Sequence, residues 1–148
     1  MLKLVPEKVN FYISTTDLTA MYTESSGVTV TLDVQTIEDW QQEQYRELAL
    51  VFQPVAELRC VTLNLFEHVE HTIELADGAD EVEAFWKQYG YHPDPGLYEV
   101  QASEWLSAKQ QQYDPKKRLQ LKHYVIAGYD SHIEIIASGY TYRMVEAE

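Results

Sequence analysis

Apolar and polar residues alternate in three segments of the N-terminal half of the chain, 9–13, 28–34 and 48–52. A period of two residues places successive side chains on opposite faces of a β-strand. In the second segment, which follows Gly27, one face carries only apolar side chains: Val28, Val30, Leu32 and Val34. The first strand should end at a turn over residues 14–17. The third should end at Pro54, because proline donates no hydrogen bond to a neighbouring strand.

A short helix is predicted between the second and third strands. The run Thr36-Ile37-Glu38-Asp39 resembles a capping box, in which the first and fourth side chains each accept a hydrogen bond from the other residue's backbone N–H. Ile37 and Trp40 are three residues apart and would share one face of this helix. We expect the helix to end near Gln44.

The apolar positions change parity between residues 56 and 65. Ala56, Leu58 and Cys60 are even-numbered, whereas the apolar positions from Val61 onward are odd-numbered. A β-bulge at Cys60-Val61 would add one residue and keep both sets on the same face. Cys60 is the only cysteine of the chain, and its apolar surroundings favour a buried thiol.

The segment from 66 to 75 is compatible with two structures. Its odd-numbered positions are Val69, His71, Ile73 and Leu75, and this alternation favours a strand. Phe66, Val69 and Ile73 also fit the spacing of one helix face, so a helix remains the alternative.

Two longer helices are predicted in the second half. Beyond Asp80, the residues Val82, Phe85, Trp86 and Tyr89 have helical spacing, and Gly90 can end the helix. After a proline-containing loop (91–96) and a strand (98–102), Ser103 can cap a helix to about Gln112. Its inward stripe would include Trp105 and Ala108. We expect both helices to cover one sheet face with Phe85, Trp86 and Trp105.

The C-terminal segment predicts a β-hairpin over 123–138. A turn at Asp130-Ser131 would pair Gly128 with Ile133 and Tyr124 with Ala137. This register gives a buried face, composed of Tyr124, Ile126, Ile133 and Ile135. The other face would be exposed to solvent. A last strand, 140–145, should pair beside the hairpin.

Together these elements predict one α+β domain over residues 1–148, with a mostly antiparallel sheet of six to eight strands and two or three helices. No apolar stretch has the length of a signal peptide core or a membrane span, so the sequence predicts a soluble, cytoplasmic protein.

Charge is the sequence feature that says most about partners. The net charge is −13, and no Lys or Arg occurs between Arg59 and Lys87. Such a chain lacks the basic surface that nucleic acids and anionic membranes require, whereas a basic protein partner is electrostatically favoured. The eleven tyrosines are also typical of protein interfaces, although ordinary surface solubility could explain the charge.

The acidic residues of this segment divide into two groups. Asp80, Glu81 and Glu83 precede or begin a predicted helix, where negative charge complements the helix dipole. Glu67, Glu70 and Glu74 have no such structural explanation. On a strand, Glu70 and Glu74 would share the solvent face. We call these three residues the acidic stripe, and they are the predicted binding site for a basic partner.

Catalytic and cofactor motifs give no comparable prediction. The glycines are scattered and form no phosphate-binding loop, and the serines lack a nucleophile-elbow context. His68 and His71 would point to opposite sides of a strand, which disfavours a metal site. We therefore expect no cofactor, no metal and no catalytic residues.

Two alternative functions remain open. His123, Tyr129, His132 and Glu134 would lie together on the outer face of the hairpin, where they could bind a small molecule or act as an acid–base site. Alternatively, Val125 and Ile136 on that face could pair across a twofold axis in a homodimer.

The C-terminal third resembles a group of small bacterial proteins of uncharacterised activity. The resemblance covers the proline loop (HPDPG), the Ser103-Glu104-Trp105 helix start and the hairpin HYVIAGYDSHIEIIA. In size, charge and architecture the chain is also similar to immunity proteins, which bind and neutralise bacterial toxins. These resemblances imply no site residues, and the leading hypothesis is a non-enzymatic, acidic protein-binding domain of immunity or inhibitor type.

Overall fold

The computed structural model describes residues 1–14 and 17–145, so part of the predicted 14–17 turn lies outside the described residues. In chain order, the strands are β1 (Leu2–Pro6), β2 (Tyr12–Ile13), β3 (Thr19–Thr23), β4 (Gly27–Gln35), β5 (Arg46–Phe52), β6 (Val55–Val61), β7 (His71–Ile73), β8 (Leu97–Gln101), β9 (Lys122–Ala127), β10 (His132–Ala137) and β11 (Tyr140–Met144). The helices are α1 (Ile37–Gln42), α2 (Leu65–His68), α3 (Val82–Tyr89) and α4 (Glu104–Tyr113).

The described strands form two sheets. The first has the order β6-β10-β9-β8-β1-β7, and the second has the order β11-β5-β4-β2, with β3 also paired to β4. All pairs are antiparallel except β1 with β7. The mixed, mostly antiparallel α+β fold is confirmed. The expected six to eight strands are too few, because eleven are present in the described residues and they divide between two sheets.

The main core lies between the two sheets. Val28, Val30, Leu32 and Val34 of β4 face Tyr124, Ile126, Ile133 and Ile135 of the β9–β10 hairpin, and all are buried. Removing a large aliphatic side chain from water contributes about 1.5–3 kcal/mol, so this layer stabilises the pairing of the sheets. The predicted buried faces of both segments are confirmed.

The other face of the first sheet is also covered, contrary to the prediction for the hairpin. Val125 joins a second core with Leu4, Leu65 and Tyr98, and α4 packs over β9. Val125 and Ile136 have 0% exposure. These two residues therefore cannot form a homodimer interface in this structure, because other parts of the same chain bury them.

The hairpin register differs from the predicted one by two residues. Ile133 pairs with Ile126 and Ile135 pairs with Tyr124, so the same side chains stay on each face. The turn contains four residues, 128–131, and is closed by a hydrogen bond from the Gly128 N–H to the Ser131 carbonyl (2.9 Å). β11 pairs with β5 of the second sheet rather than with the hairpin, which corrects that prediction.

The first and third predicted strands have different outcomes. β5 confirms the strand at 48–52. In the 9–13 segment only Tyr12 and Ile13 form ladder pairs, although Val9 and Phe11 are buried in the main core. Alternation here reflects burial more than strand pairing. β1, in contrast, has no marked alternation and was not predicted.

Cys60 lies on an edge strand, which corrects the prediction that its thiol is buried. β6 is the outer strand of its sheet, and Cys60 is exposed. The register irregularity lies at the other end of β6, where Ile136 pairs with Glu57 and Ala137 with Val55. A bulge at Cys60-Val61 was therefore wrong, because Val61 continues the strand in register with Cys60, and the apolar side chains beyond Val61 belong to a loop and a helix.

The ambiguous 66–75 segment contains both predicted structures in short form. Asn64 begins α2, since its side-chain oxygen accepts hydrogen bonds from the backbone N–H groups of Phe66 (2.9 Å) and Glu67 (3.2 Å). β7 follows and pairs in parallel with β1.

The three other helices begin and end within two residues of the predicted positions. Thr36 and Asp39 form the capping box of α1, and Gly90 ends α3 with a positive φ of 76°. The two longer helices do not cover one face together. Trp86 of α3 contacts Trp40 of α1 (ring centroids 5.8 Å), whereas α4 packs on β9 and leaves Ala108 exposed. None of the described helices has the length and apolar character needed to cross a membrane.

Candidate functional site

Three of the four residues predicted for the hairpin ligand face do come together. His123 Nε2 lies 2.9 Å from one carboxylate oxygen of Glu134, and His132 Nε2 lies 3.8 Å from the other. All three residues are buried. Tyr129 is in the hairpin turn, apart from them, and its side chain is 68% exposed.

Two further residues complete this buried cluster. The Ser103 hydroxyl lies 2.7 Å from His123 Nδ1 and also accepts the Leu106 N–H that begins α4 (3.0 Å). The Arg59 guanidinium is 3.6 Å from Glu134 and stacks on the Trp105 ring at 3.9 Å. The cluster therefore links the start of α4 to β6, β9 and β10.

The order hydroxyl–imidazole–carboxylate resembles that of a nucleophilic triad. Ser103, however, is buried and already caps a helix, so its hydroxyl is not open to a substrate in this structure. Burial alone would raise the pKa of Glu134, but the hydrogen bond from His123 and the nearby Arg59 charge lower it overall. These contacts stabilise an ionised carboxylate inside the protein.

The acidic stripe lies along one edge of the first sheet. Glu67 is on α2, and Glu70 and Glu74 flank β7. Both flanking residues continue the pairing with β1, since the Leu2 N–H donates to the Glu70 carbonyl and the Glu74 N–H donates to the Leu4 carbonyl, each at 2.9 Å. All three glutamates are exposed, as the alternation predicted for the last two.

An open cleft of about 590 Å³ lies where residues of β2, β4, β8 and the hairpin turn meet α2. We call it the tyrosine cleft; its main side chains are Tyr12, Tyr45, Phe66, Tyr98 and Tyr129, with the carboxylates of Asp33 and Asp94. Of the described residues that line it, none is Lys, Arg or His. Phe66 lies in the cleft and the next residue, Glu67, belongs to the acidic stripe, so α2 connects the two surfaces.

The inner wall of the cleft is held by packing and hydrogen bonds. The Tyr98 hydroxyl donates to the Asp94 carboxylate, and the Asp94 N–H donates to His92 Nδ1 (2.9 Å). His92 in turn stacks on Tyr12, with ring centroids 4.7 Å apart. Burial lowers the pKa of His92 to about 4, so the imidazole is neutral at pH 7 and can accept this hydrogen bond.

The outer wall is aromatic and exposed. Tyr45 is 59% exposed, and Tyr129 is held over the cleft through its carbonyl, which accepts a hydrogen bond from the Asn64 side chain (2.6 Å). Tyrosine rings lose little conformational freedom on contact and offer both apolar area and a hydroxyl. The two walls together give a concave surface suited to a flat or cationic group.

Like charges meet at the edge of this cleft. Asp33 on β4 lies directly opposite Glu47 on β5. In the described part of the chain, neither forms an ion pair with a basic side chain. Such cross-strand pairs destabilise a sheet. Burial is the main cause that raises the pKa of Tyr12, and the nearby Asp94 charge and Tyr45 raise it further.

Sequence reasoning found one residue of this cleft, Tyr129, and assigned it to a different site. The others come from segments far apart in the chain, so no spacing rule relates them. Tyrosine abundance was the one available signal, and it does not locate the cleft. No group of three or more His, Cys or acidic side chains converges as a metal site within the described residues.

Comparison of the chain with protein-family models, curated proteins and solved structures gives no match. The resemblances noted for the C-terminal third and for immunity proteins stay predictions. The function is therefore inferred from the geometry of the described surfaces.

Proposed function

We propose that the protein is a non-enzymatic binding domain for a basic protein partner. The observation that carries the proposal is the tyrosine cleft. Its described lining contains aromatic side chains and two carboxylates, but no Lys, Arg or His. The acidic stripe continues this surface through α2. An inhibitor or immunity protein is the form of such a domain that best accords with its size and charge.

Electrostatics and contact chemistry have separate roles in this proposal. Exposed carboxylates attract a basic partner from a distance and mainly increase the association rate. Tyrosines then supply buried contact area, and aromatic residues are among the commonest energetic centres of interfaces. We therefore assign fast encounter to the stripe and the larger share of affinity to the cleft.

Affinity capture from a lysate of the native cell, followed by binding kinetics with the captured protein, tests the stripe. The test variant replaces Glu67, Glu70 and Glu74 with Lys. We expect a basic partner whose association rate falls by about tenfold or more in low salt, with a smaller change in the dissociation rate.

The matched control replaces Glu24, Glu81 and Glu104 with Lys. These residues are also exposed, and their replacement changes the net charge equally. Glu81 and Glu104 lie at helix starts, so thermal melting must first show that the control is folded. Equal association rates for the wild type and the stripe variant would contradict the proposal, as would an equal loss in both variants.

The two alternative functions have less structural support. The ligand face at His123, His132 and Glu134 is buried in its own contacts, and Tyr129 belongs to the separate cleft. The homodimer face at Val125 and Ile136 is covered.

A further inference from the structure

We propose that the tyrosine cleft binds the guanidinium group of an arginine side chain presented by the partner. This inference rests on the proposed function and names the chemical group that the partner inserts. It is argued from the lining side chains, the volume and the uncompensated charges of the cleft.

The size of the cleft suits a side chain together with its flanking backbone. A volume of about 590 Å³ is within the range of ligand sites, and the cleft is open, with Tyr45 and Tyr129 exposed on its lining. A segment of a partner can therefore reach the inner wall without a change in the fold.

The chemistry of the walls favours a cation over a neutral ligand. Asp33 and Asp94 supply negative charge, and the opposed pair Asp33 and Glu47 would lose its repulsion if a positive group lay nearby. Tyrosine and phenylalanine faces attract cations through their quadrupoles. A sugar could also stack on these rings, but it would gain nothing from the repulsion that a cation relieves.

Among cations, a planar guanidinium uses the cleft more fully than an ammonium. It can stack on a ring and donate two parallel hydrogen bonds to a carboxylate, whereas the lysine ammonium is a strongly hydrated point charge. The protein contains both kinds of contact internally. Arg59 stacks on Trp105, 3.6 Å from Glu134, and Arg46 donates two hydrogen bonds to the Asp39 carboxylate (2.7 and 3.0 Å).

The test is a titration followed by amide NMR shifts, with Nα-acetyl-arginine amide as the probe. Gly96 and Gly128 line the cleft and are local reporters, whereas Gly78 and Gly90 lie outside it. We expect saturable shifts at the first two glycines and none at the others. The citrulline counterpart is nearly isosteric but neutral, and its affinity should be lower by at least about tenfold.

Variants identify the contacts. Tyr45→Ala and Asp33→Asn should each weaken arginine binding by about threefold to tenfold. Tyr22→Ala is the matched control, because Tyr22 and Tyr45 are both 59% exposed and Tyr22 does not line the cleft. Its affinity should equal that of the wild type.

Three results would overturn the inference: no shift at Gly96 and Gly128 with arginine amide up to about 50 mM, equal binding of citrulline, or tighter binding of a neutral trisaccharide. These results are distinguishable from failure of the proposed function. If the wild type does not bind arginine amide but the stripe variant still associates more slowly with the partner, the guanidinium site is wrong and the proposal of a basic partner stands.

Discussion

His92 makes the stability of the protein depend on pH in a way that can be calculated. Its ring is buried among Tyr12, Trp40 and Trp86, and its Nδ1 accepts the Asp94 N–H that positions the inner wall of the cleft. In the folded state burial lowers its pKa from 6.5 to about 4. The unfolded chain therefore binds a proton at a higher pH than the folded chain does.

The sign and the size of the effect follow from this difference. Above pH 6.5 neither state is protonated and His92 has no pH effect. As the pH falls below 6.5, the unfolded state gains the proton first, so stability falls by about 1.4 kcal/mol for each pH unit until the folded pKa is reached. At about pH 5 the expected loss is about 2 kcal/mol.

Urea unfolding at about pH 7.5 and pH 5 measures this loss, with His92→Asn as the comparison. The asparagine oxygen can accept the Asp94 N–H but does not titrate. The variant should be less stable than the wild type at both pH values, because it loses ring packing. Its loss between the two pH values should be smaller than that of the wild type by about 2 kcal/mol.

This comparison cancels the contributions of other groups, including Glu134 and Asp39, that titrate in both proteins. Equal losses for the wild type and His92→Asn, within about 0.5 kcal/mol, would contradict a lowered pKa of His92 in the folded protein. That result would mean that His92 is protonated in the folded protein or is not buried.

Three further predictions concern stability and exposure. Glu134→Ala should lower the free energy of unfolding by about 1–3 kcal/mol, because the buried His123 ring loses its hydrogen-bond partner, whereas Arg59 is half exposed and water can solvate its charge. Glu134→Gln should cost less, and equal small losses of the two variants in urea unfolding would contradict the cluster. Burial raises the pKa of Tyr124 to about 12 and also raises that of Tyr98 and Tyr140. Their stabilising effect is complete below pH 10 and is lost as the pH rises further, so phenolate absorbance from these residues should appear together with alkaline unfolding rather than before it. Cys60 should react with a thiol reagent in the native protein, and a requirement for denaturant would contradict its place on an exposed edge strand.

Local patterns predicted the strand faces and helix ends well. Alternation identified the buried faces of β4 and the hairpin, because side-chain direction in a strand depends only on neighbouring residues. Capping residues located α1 and α4, because Thr36 and Ser103 satisfy N–H groups within one turn. A hairpin register wrong by two residues still kept each side chain on its face.

Relations between distant segments were not predictable in the same way. Nothing local to β11 distinguishes pairing with β5 from pairing with the hairpin. The outer face of the hairpin was expected in solvent, but α4 and α2 cover it. His123 and Glu134 therefore belong to a buried cluster and not to an exposed site.

The candidate site shows the same limit. The stripe residues Glu70 and Glu74 were predicted on the exposed side of a strand, and their alternation placed them there. The tyrosine cleft needs β2, β4, α2, β8 and the hairpin turn to meet, and only the three-dimensional arrangement brings their side chains together.

We propose that the tyrosine cleft and the acidic stripe together form the surface that binds a basic partner. Hydroxyl-radical footprinting of the complex with the captured partner tests this directly, because Tyr45 and Tyr22 are equally exposed in the free protein. Tyr45, Tyr129 and Phe66 should become protected, while Tyr22 should keep its reactivity. Protection of Tyr22 with unchanged reactivity at Tyr45 and Tyr129 would contradict this proposal.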